Sequence, residues 1–143
     1  TLQPIQLSAA QKMPHVDAFS DDQYAAVHYL CGEPHGGTAI YRYRPRNLVK
    51  IRPDDRGVMG EMIKNVRSHP AEHSGYLTGD TTLFKQELVV KARLNRLVLY
   101  PSNLLHCAML SWPDSLDSDT SKGRLSVASF FRLEQKPHRL MSA

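Results

Sequence analysis

Residues 36–45 read Gly-Gly-Thr-Ala-Ile-Tyr-Arg-Tyr-Arg-Pro. The glycine pair marks a turn into a strand. Beyond it, aromatic and basic side chains alternate through Tyr41, Arg42, Tyr43 and Arg44, the period of two that a half-buried strand requires. Pro45 closes the run, because it has no N–H to give to a ladder. On both sides of this segment the chain repeats the same kind of signal. Upstream, residues 4–12 read as a strand of mixed polarity, Pro14–Phe19 as a second, and 23–31 (QYAAVHYLC) as a third after the Ser20-Asp21-Asp22 turn. Downstream, strands are expected at 84–90, at 97–102 after the Leu94-Asn95-Arg96 turn, at 104–110, and at 124–133.

Residues 45–80 break the pattern. They are rich in Arg, Pro, Gly, Asp and His, and 57–68 places Met59, Met62, Ile63 and Val66 on one face of a short helix. So long an excursion in a chain of short strands reads either as a lid over a functional mouth or as a floppy surface insertion. The polar stretch 111–123 is a second loop, and 134–143 a tail. Many short strands with one helical interruption point to a mainly β sandwich or jelly roll. At 143 residues with 41% hydrophobic content, the chain suits one domain spanning 1–143. No apolar run reaches the length of a membrane span. The two cysteines, Cys31 and Cys107, sit on apolar strands and read as packed free thiols of a reducing compartment, hence a cytoplasmic location.

Chemistry first enters at His15-Val16-Asp17. A strand sends alternate side chains to one face, so His15 and Asp17 can reach one ion from one side of a sheet. The triplet alone is weak: seven histidines and nine aspartates in 143 residues make roughly 0.4 such triplets by chance. His106, 91 residues on, shares a strand face with Leu104, Ala108 and Leu110. It reads either as a core histidine bonded to a carbonyl or as a third ligand. Two histidines and one carboxylate with open positions are the mark of non-haem Fe(II) oxygenases. Cys107 points to the opposite face and is not expected to share a metal. The His69/His73 pair has helical metal spacing, but Pro70 between them argues against a helix.

On the last strand Arg124 shares a face with Ser126, Ala128 and Phe130. A guanidinium entering a face of small residues needs an anion, either a carboxylate ligand held by its planar fork or a loop acid such as Asp117 or Asp119. Tyr29, on a face with Ala25, Val27 and Cys31, fills a core or offers its hydroxyl. The net charge of +4 and the cluster Arg42, Arg44 and Arg46 beside Tyr41 and Tyr43 raise a nucleic-acid reading. The plainer reading is a solvated basic face, so a nucleic-acid partner is not expected.

Taken in order, His-x-Asp, a strand ending Tyr-Leu, Gly-Gly-Thr, Asn-Arg-Leu-Val-Leu-Tyr-Pro-Ser, a distal His and an Arg-x-Ser strand resemble the Fe(II)/2-oxoglutarate-dependent dioxygenases, on the prolyl-hydroxylase-like branch. The resemblance covers about residues 13–133. It implies a double-stranded β-helix, the cupin-like jelly roll, with a lid insertion holding a short helix. It implies His15, Asp17 and His106 as ligands of Fe(II), and Arg124 as the anchor of the far carboxylate of 2-oxoglutarate, with Ser126 and Tyr29 beside it. O2 would be the second cosubstrate, and a small molecule or an amino-acid or peptide the acceptor, with succinate and CO2 released. Asn95 and Arg96 would be structural. Arg124 follows His106 by 18 residues, about twice the separation usual in the branch, and loop 111–123 absorbs the difference. Relatives carry supporting helices before the first strand, so an upstream segment or a second subunit is expected over the outer sheet, the latter making a homodimer. Two rival readings are a cupin-like metal enzyme without an oxoacid and a non-catalytic binding module. Arg42, Arg44, Arg52 and Arg56 raise the possibility of an anionic substrate, or belong to a solvated face.

Overall fold

The structure is a computed structural model that describes residues 12–110, 119 and 122–134. The expected strand at 4–12, most of the loop at 111–123 and the tail beyond Glu134 lie outside the described residues. The described chain is mainly β. It forms β1 (Gln23–Tyr29), β2 (Gly37–Tyr43), helix α1 (Arg56–Ser68), β3 (Phe84–Lys91), β4 (Arg96–Pro101), β5 (His106–Met109) and β6 (Ser126–Arg132). Two three-stranded antiparallel sheets result, with strand orders β4-β1-β6 and β3-β2-β5.

Burial explains the central strand. All of β2 is buried except Arg42. Its odd positions Ala39, Tyr41 and Tyr43 pack with Met62 and Val66 of α1 and with Ile51, Leu77, Phe84, Leu105 and Cys107. Its even position Thr38 faces the space between the sheets. The main apolar core therefore lies outside the β3-β2-β5 sheet, under α1. This corrects the expected lid. No residue between 45 and 80 lines the inter-sheet cavity. The periodic face Met59, Met62, Ile63 and Val66 was read correctly as apolar, and it is used to close a sheet rather than a mouth. A side chain as large as Met62, fully removed from water, contributes about 1.5–3 kcal/mol by burial.

The turn glycines carry a geometric demand. Gly36 has φ +85°, and a Cβ there would run into the Met109 carbonyl of β5. Gly37 sits against the Val90 carbonyl of β3. The tight entry to β2 between two neighbouring strands leaves no room for a side chain. Asn95, at φ 64°, turns β3 into β4 and accepts a bond from Nε2 of His28 at 2.9 Å. Arg96 donates to the Lys91 carbonyl at 2.8 Å, so both residues hold the turn.

One expected strand is absent. Pro14–Phe19 makes a single bridge, through two 2.9 Å backbone bonds between His15 and His106. Pro14 has no N–H to extend the ladder backwards. Past His15 the amides of Asp17 and Ala18 both turn onto the Ser102 carbonyl, at 2.9 and 3.2 Å. The chain thus leaves the β5 edge at once and hangs from the segment after β4.

The basic cluster is neutralised. Arg42 pairs with Glu87, Arg44 with Asp80, Arg46 with Glu61 and Arg52 with Asp21. Arg56 lies over the Phe19 ring, 5.0 Å from its centroid. Tyr41 and Tyr43 are fully buried, so this strand has no stacking platform. Cys31 and Cys107 are free and buried. On the outer face of β4-β1-β6, by contrast, Leu97, Leu99, Val127 and Phe131 are about half or more exposed. Among the described residues no helix is long and apolar enough to cross a membrane.

His73 gives a stability prediction. Its ring is buried against Phe84, and neither nitrogen finds a hydrogen-bond partner among the described residues. Burial lowers its pKa, opposed by nearby Glu72. The folded state therefore holds it neutral, while the unfolded chain takes a proton near pH about 6.5. Its contribution is complete above that pH and is lost as the pH falls below it, towards the folded pKa. His73→Leu is expected to stabilise the fold by about 1 kcal/mol and to flatten the loss of stability between pH 7.5 and 5.5. Urea melts at the two pH values check this; an unchanged pH slope would refute it.

Candidate metal centre

His15, Asp17 and His106 come together at the seam where residue 15 bridges β5. One ligand atom from each lies within 4.8 Å of the others. Asp17 sets one carboxylate oxygen 4.0 Å from His15 Nε2 and the other 3.5 Å from His106 Nε2. The two imidazoles are tilted by 51°, their centroids 4.6 Å apart. Although the expected strand is missing, the single bridge at residue 15 preserves the side-chain direction that the His-x-Asp spacing requires.

The rings are oriented by what their other nitrogens do. Nδ1 of His106 lies 2.9 Å from the Leu104 carbonyl, and Nδ1 of His15 lies 3.2 Å from the Met13 carbonyl. A carbonyl only accepts, so each Nδ1 carries the proton and donates it. In a neutral ring so held, Nε2 keeps its lone pair, and in both residues Nε2 faces the Asp17 carboxylate. A backbone carbonyl behind a histidine is the usual outer support of a metal ligand. Burial lowers the His106 pKa, with the Leu104 carbonyl opposing, and keeps the ring neutral. A metal needs that form. The donor set and its orientation therefore fit a divalent ion with open coordination positions. Cys107 is directed away, donates to the Lys12 carbonyl at 3.1 Å, and is pushed by burial up to about 12. It is a core thiol, as its position on the strand suggested.

The triad opens on a cavity of about 220 Å³ between the two sheets. Small residues make the room: Ala25, Ala26 and Val27 on β1, Ala108 on β5, and Ser126 and Ala128 on β6 line it. At the end of the cavity away from the His15 bridge stands Arg124. Its Nη1 donates to Ser126 Oγ at 3.1 Å, and its guanidinium carbon lies 5.5 Å from the centre of the Tyr29 ring. Its Nε is buried without a partner. No carboxylate pairs with it among the described residues: Asp119 binds Lys122 at 3.4 Å, and Asp117 lies outside them. Tyr29 is fully buried, and its hydroxyl shares a 2.5 Å bond with Thr38 Oγ1. Five of the six residues singled out in the sequence, His15, Asp17, His106, Arg124 and Ser126, thus line one space, and Tyr29 stands behind its wall, bonded to Thr38.

Two residues of the site carried no role in the sequence reading. Thr38 was read only as part of the Gly-Gly-Thr turn, yet it lines the cavity opposite Ala108 and holds the Tyr29 hydroxyl. Tyr100 was read only as part of the Leu-Val-Leu-Tyr-Pro-Ser strand. Its ring stacks at a tilt on His106, 4.8 Å between centroids, and its hydroxyl finds no hydrogen-bond partner among the described residues. Burial, helped by the Asp17 charge, raises its pKa and keeps the hydroxyl a neutral donor. The signal was the alternation of Val98 and Tyr100 on the inward face of β4.

The fold and the cluster define a mainly β protein of two facing antiparallel sheets with a His-Asp-His set between them. A family model described as a family of unknown function (DUF6445) matches residues 1–131. The chain belongs to that family. No curated protein and no solved structure matches it.

Proposed function

We propose that this chain is an Fe(II)- and 2-oxoglutarate-dependent dioxygenase with the double-stranded β-helix fold. The observation that carries the reading is Arg124, a guanidinium without an acid partner among the described residues, in the same cavity as the oriented His-Asp-His set. A metal enzyme that needs no oxoacid would leave that cation unexplained. The winding supports the fold. Successive strands alternate between the sheets, β1 in one, β2 and β3 in the other, then β4, β5 and β6 by turns.

The scale of the cavity supports the cosubstrate. Thr38 stands opposite Ala108, two residues along β5 from His106, which is about 6.6 Å of strand. That is about the reach of a five-carbon dicarboxylate. His15, Asp17 and His106 would hold the ion, Asp17 supplying the one negative charge. Iron bound there supplies the activation of O2 that couples decarboxylation of 2-oxoglutarate to oxidation of a substrate C–H bond. Arg124 binds the far carboxylate through its fork, and Ser126 and Tyr29 add hydroxyls beside it. Ala25, Ala26 and Val27 of β1 and Ala128 of β6 give the space an apolar wall, which strengthens each of these contacts.

Anaerobic titration of the metal-free protein with Fe(II) and then 2-oxoglutarate tests the reading. A weak visible charge-transfer band that appears only with both is expected. Iron binding without the band would favour the oxoacid-free metal enzyme, and no iron binding would leave a binding module.

A further inference from the structure

A second concavity of about 410 Å³ lies beside the triad, lined by Asp17, Ala18, Gln23, Ser102, Phe130, Phe131 and Arg132. Among the described residues two line both this groove and the inter-sheet cavity, Asp17 and Phe130. Arg124, Ser126 and Thr38 belong to the cavity alone. The site is thus divided into a cationic compartment and an outer groove, and the shared wall is one proposed metal ligand and one aromatic ring.

Phe130 is out of keeping with its position. It follows Ser126 and Ala128 on the inward face of β6, and it pairs with Ala25, which pairs in turn with Tyr100 on β4. Across this row Tyr100 is 7% exposed and Phe130 is 66% exposed. Ala25, the small residue between them, lines the inter-sheet cavity and not the groove. A phenyl ring on a cavity-facing strand position normally gains its stability by burial. Here no described residue covers it. The one cation among the described lining residues of the groove, Arg132, is engaged by Asp22 at 3.4 Å, Arg42, Arg44, Arg46 and Arg52 are paired with acids elsewhere, and Arg56 lies over Phe19. The groove therefore offers an apolar ring face with a polar rim rather than a free cation, and its volume is that of a small-molecule site.

We infer that Phe130 is the substrate-seating residue, and that the groove takes a small molecule carrying a flat apolar ring, laid on the Phe130 face beside Asp17. The inference rests on the metal centre proposed above and adds to it the class of acceptor. It favours an uncharged ring over an anionic acceptor held by the arginines of the 42–56 segment.

The test uses indole as probe and Mn(II) as a paramagnetic ion at the triad. Saturation-transfer NMR on the metal-free chain is expected to show indole binding about tenfold weaker in Phe130→Ala and within about twofold of the original in Phe130→Tyr. Glycerol should show no transfer. With Mn(II) added, the bound indole protons should broaden in the original chain and in Phe130→Tyr. Equal indole binding in Phe130→Ala would overturn the inference. So would indole that binds but is not broadened by bound Mn(II), since the ring would then sit away from the triad. Failure of the chain to bind Mn(II), with indole binding still lost in Phe130→Ala, would overturn the metal reading and leave the ring site standing. Phe130 is exposed, so folding of the alanine variant is not at risk.

Discussion

Asp17→Ala is expected to remove iron binding and all succinate formation coupled to it. The residue is the only anionic member of the set. Without it, two neutral imidazoles face a dication, and no other carboxylate joins the cluster among the described residues. Loss of a mere outer-shell partner of a metal ligand already costs 10–100-fold, so losing a ligand should cost on the order of 10³-fold in affinity. Turnover of 2-oxoglutarate should fall by at least as much. The fold should survive. The backbone amide of Asp17, not its carboxylate, makes the bond to Ser102 that holds the segment. The side chain makes no hydrogen bond beyond its approach to the two histidines. Thermal melting of the metal-free variant should stay within about 0.5 kcal/mol of the original. Calorimetric iron titration and a succinate assay read both quantities. A variant that binds iron as well as the original would show the triad to be an accident of packing.

How far the sequence revealed this site depends on what each residue needs. The strands were legible because their period is local: β2, β3, β4, β6 and α1 lie within two residues of their expected bounds. His15 and Asp17 were legible from spacing, although the strand assumed to carry them is a single bridge. Side-chain direction there needs only one pair of backbone bonds. The role of residues 45–80 was not legible. An apolar helix face says that it will be covered, and nothing local says by which sheet. Sequence reading gave α1 to the mouth because the insertion is long. The structure gives it to the outer face of β2, because Tyr41, Tyr43 and Phe84 also need a cover. Thr38 and Tyr100 were missed for a related reason. Their chemistry comes from a residue on another sheet or strand, Tyr29 in one case and His106 in the other. The basic cluster looked free because its acids, Glu61, Asp80 and Glu87, lie 15 to 45 residues away in sequence.

Arg124→Met is the experiment that separates the oxygenase from its nearest rival. Methionine keeps much of the length that packs on Tyr29 and removes the charge. If Arg124 anchors an oxoacid, iron binding should be unchanged, because the guanidinium does not touch the triad's ligand atoms. Affinity for 2-oxoglutarate should fall sharply. Removing one partner of a buried ion pair costs about 3–5 kcal/mol, which is a loss of about 10²-fold to several thousand-fold. The carboxylate would be left facing Ser126 and the Tyr29–Thr38 pair alone. Arg124→Lys should lie between, since it restores the charge and not the fork. The metal-free protein should respond in the opposite sense. Arg124 has a buried Nε with no partner, and an unmet donor of that kind costs about 1–3 kcal/mol. Its removal should therefore raise the stability of the metal-free chain by about 1 kcal/mol. Stability gained while ligand binding is lost is the pattern of a residue kept for its ligand. If Arg124→Met instead destabilised the chain and left 2-oxoglutarate binding intact, the guanidinium would be structural, and the metal centre would have to work without an oxoacid.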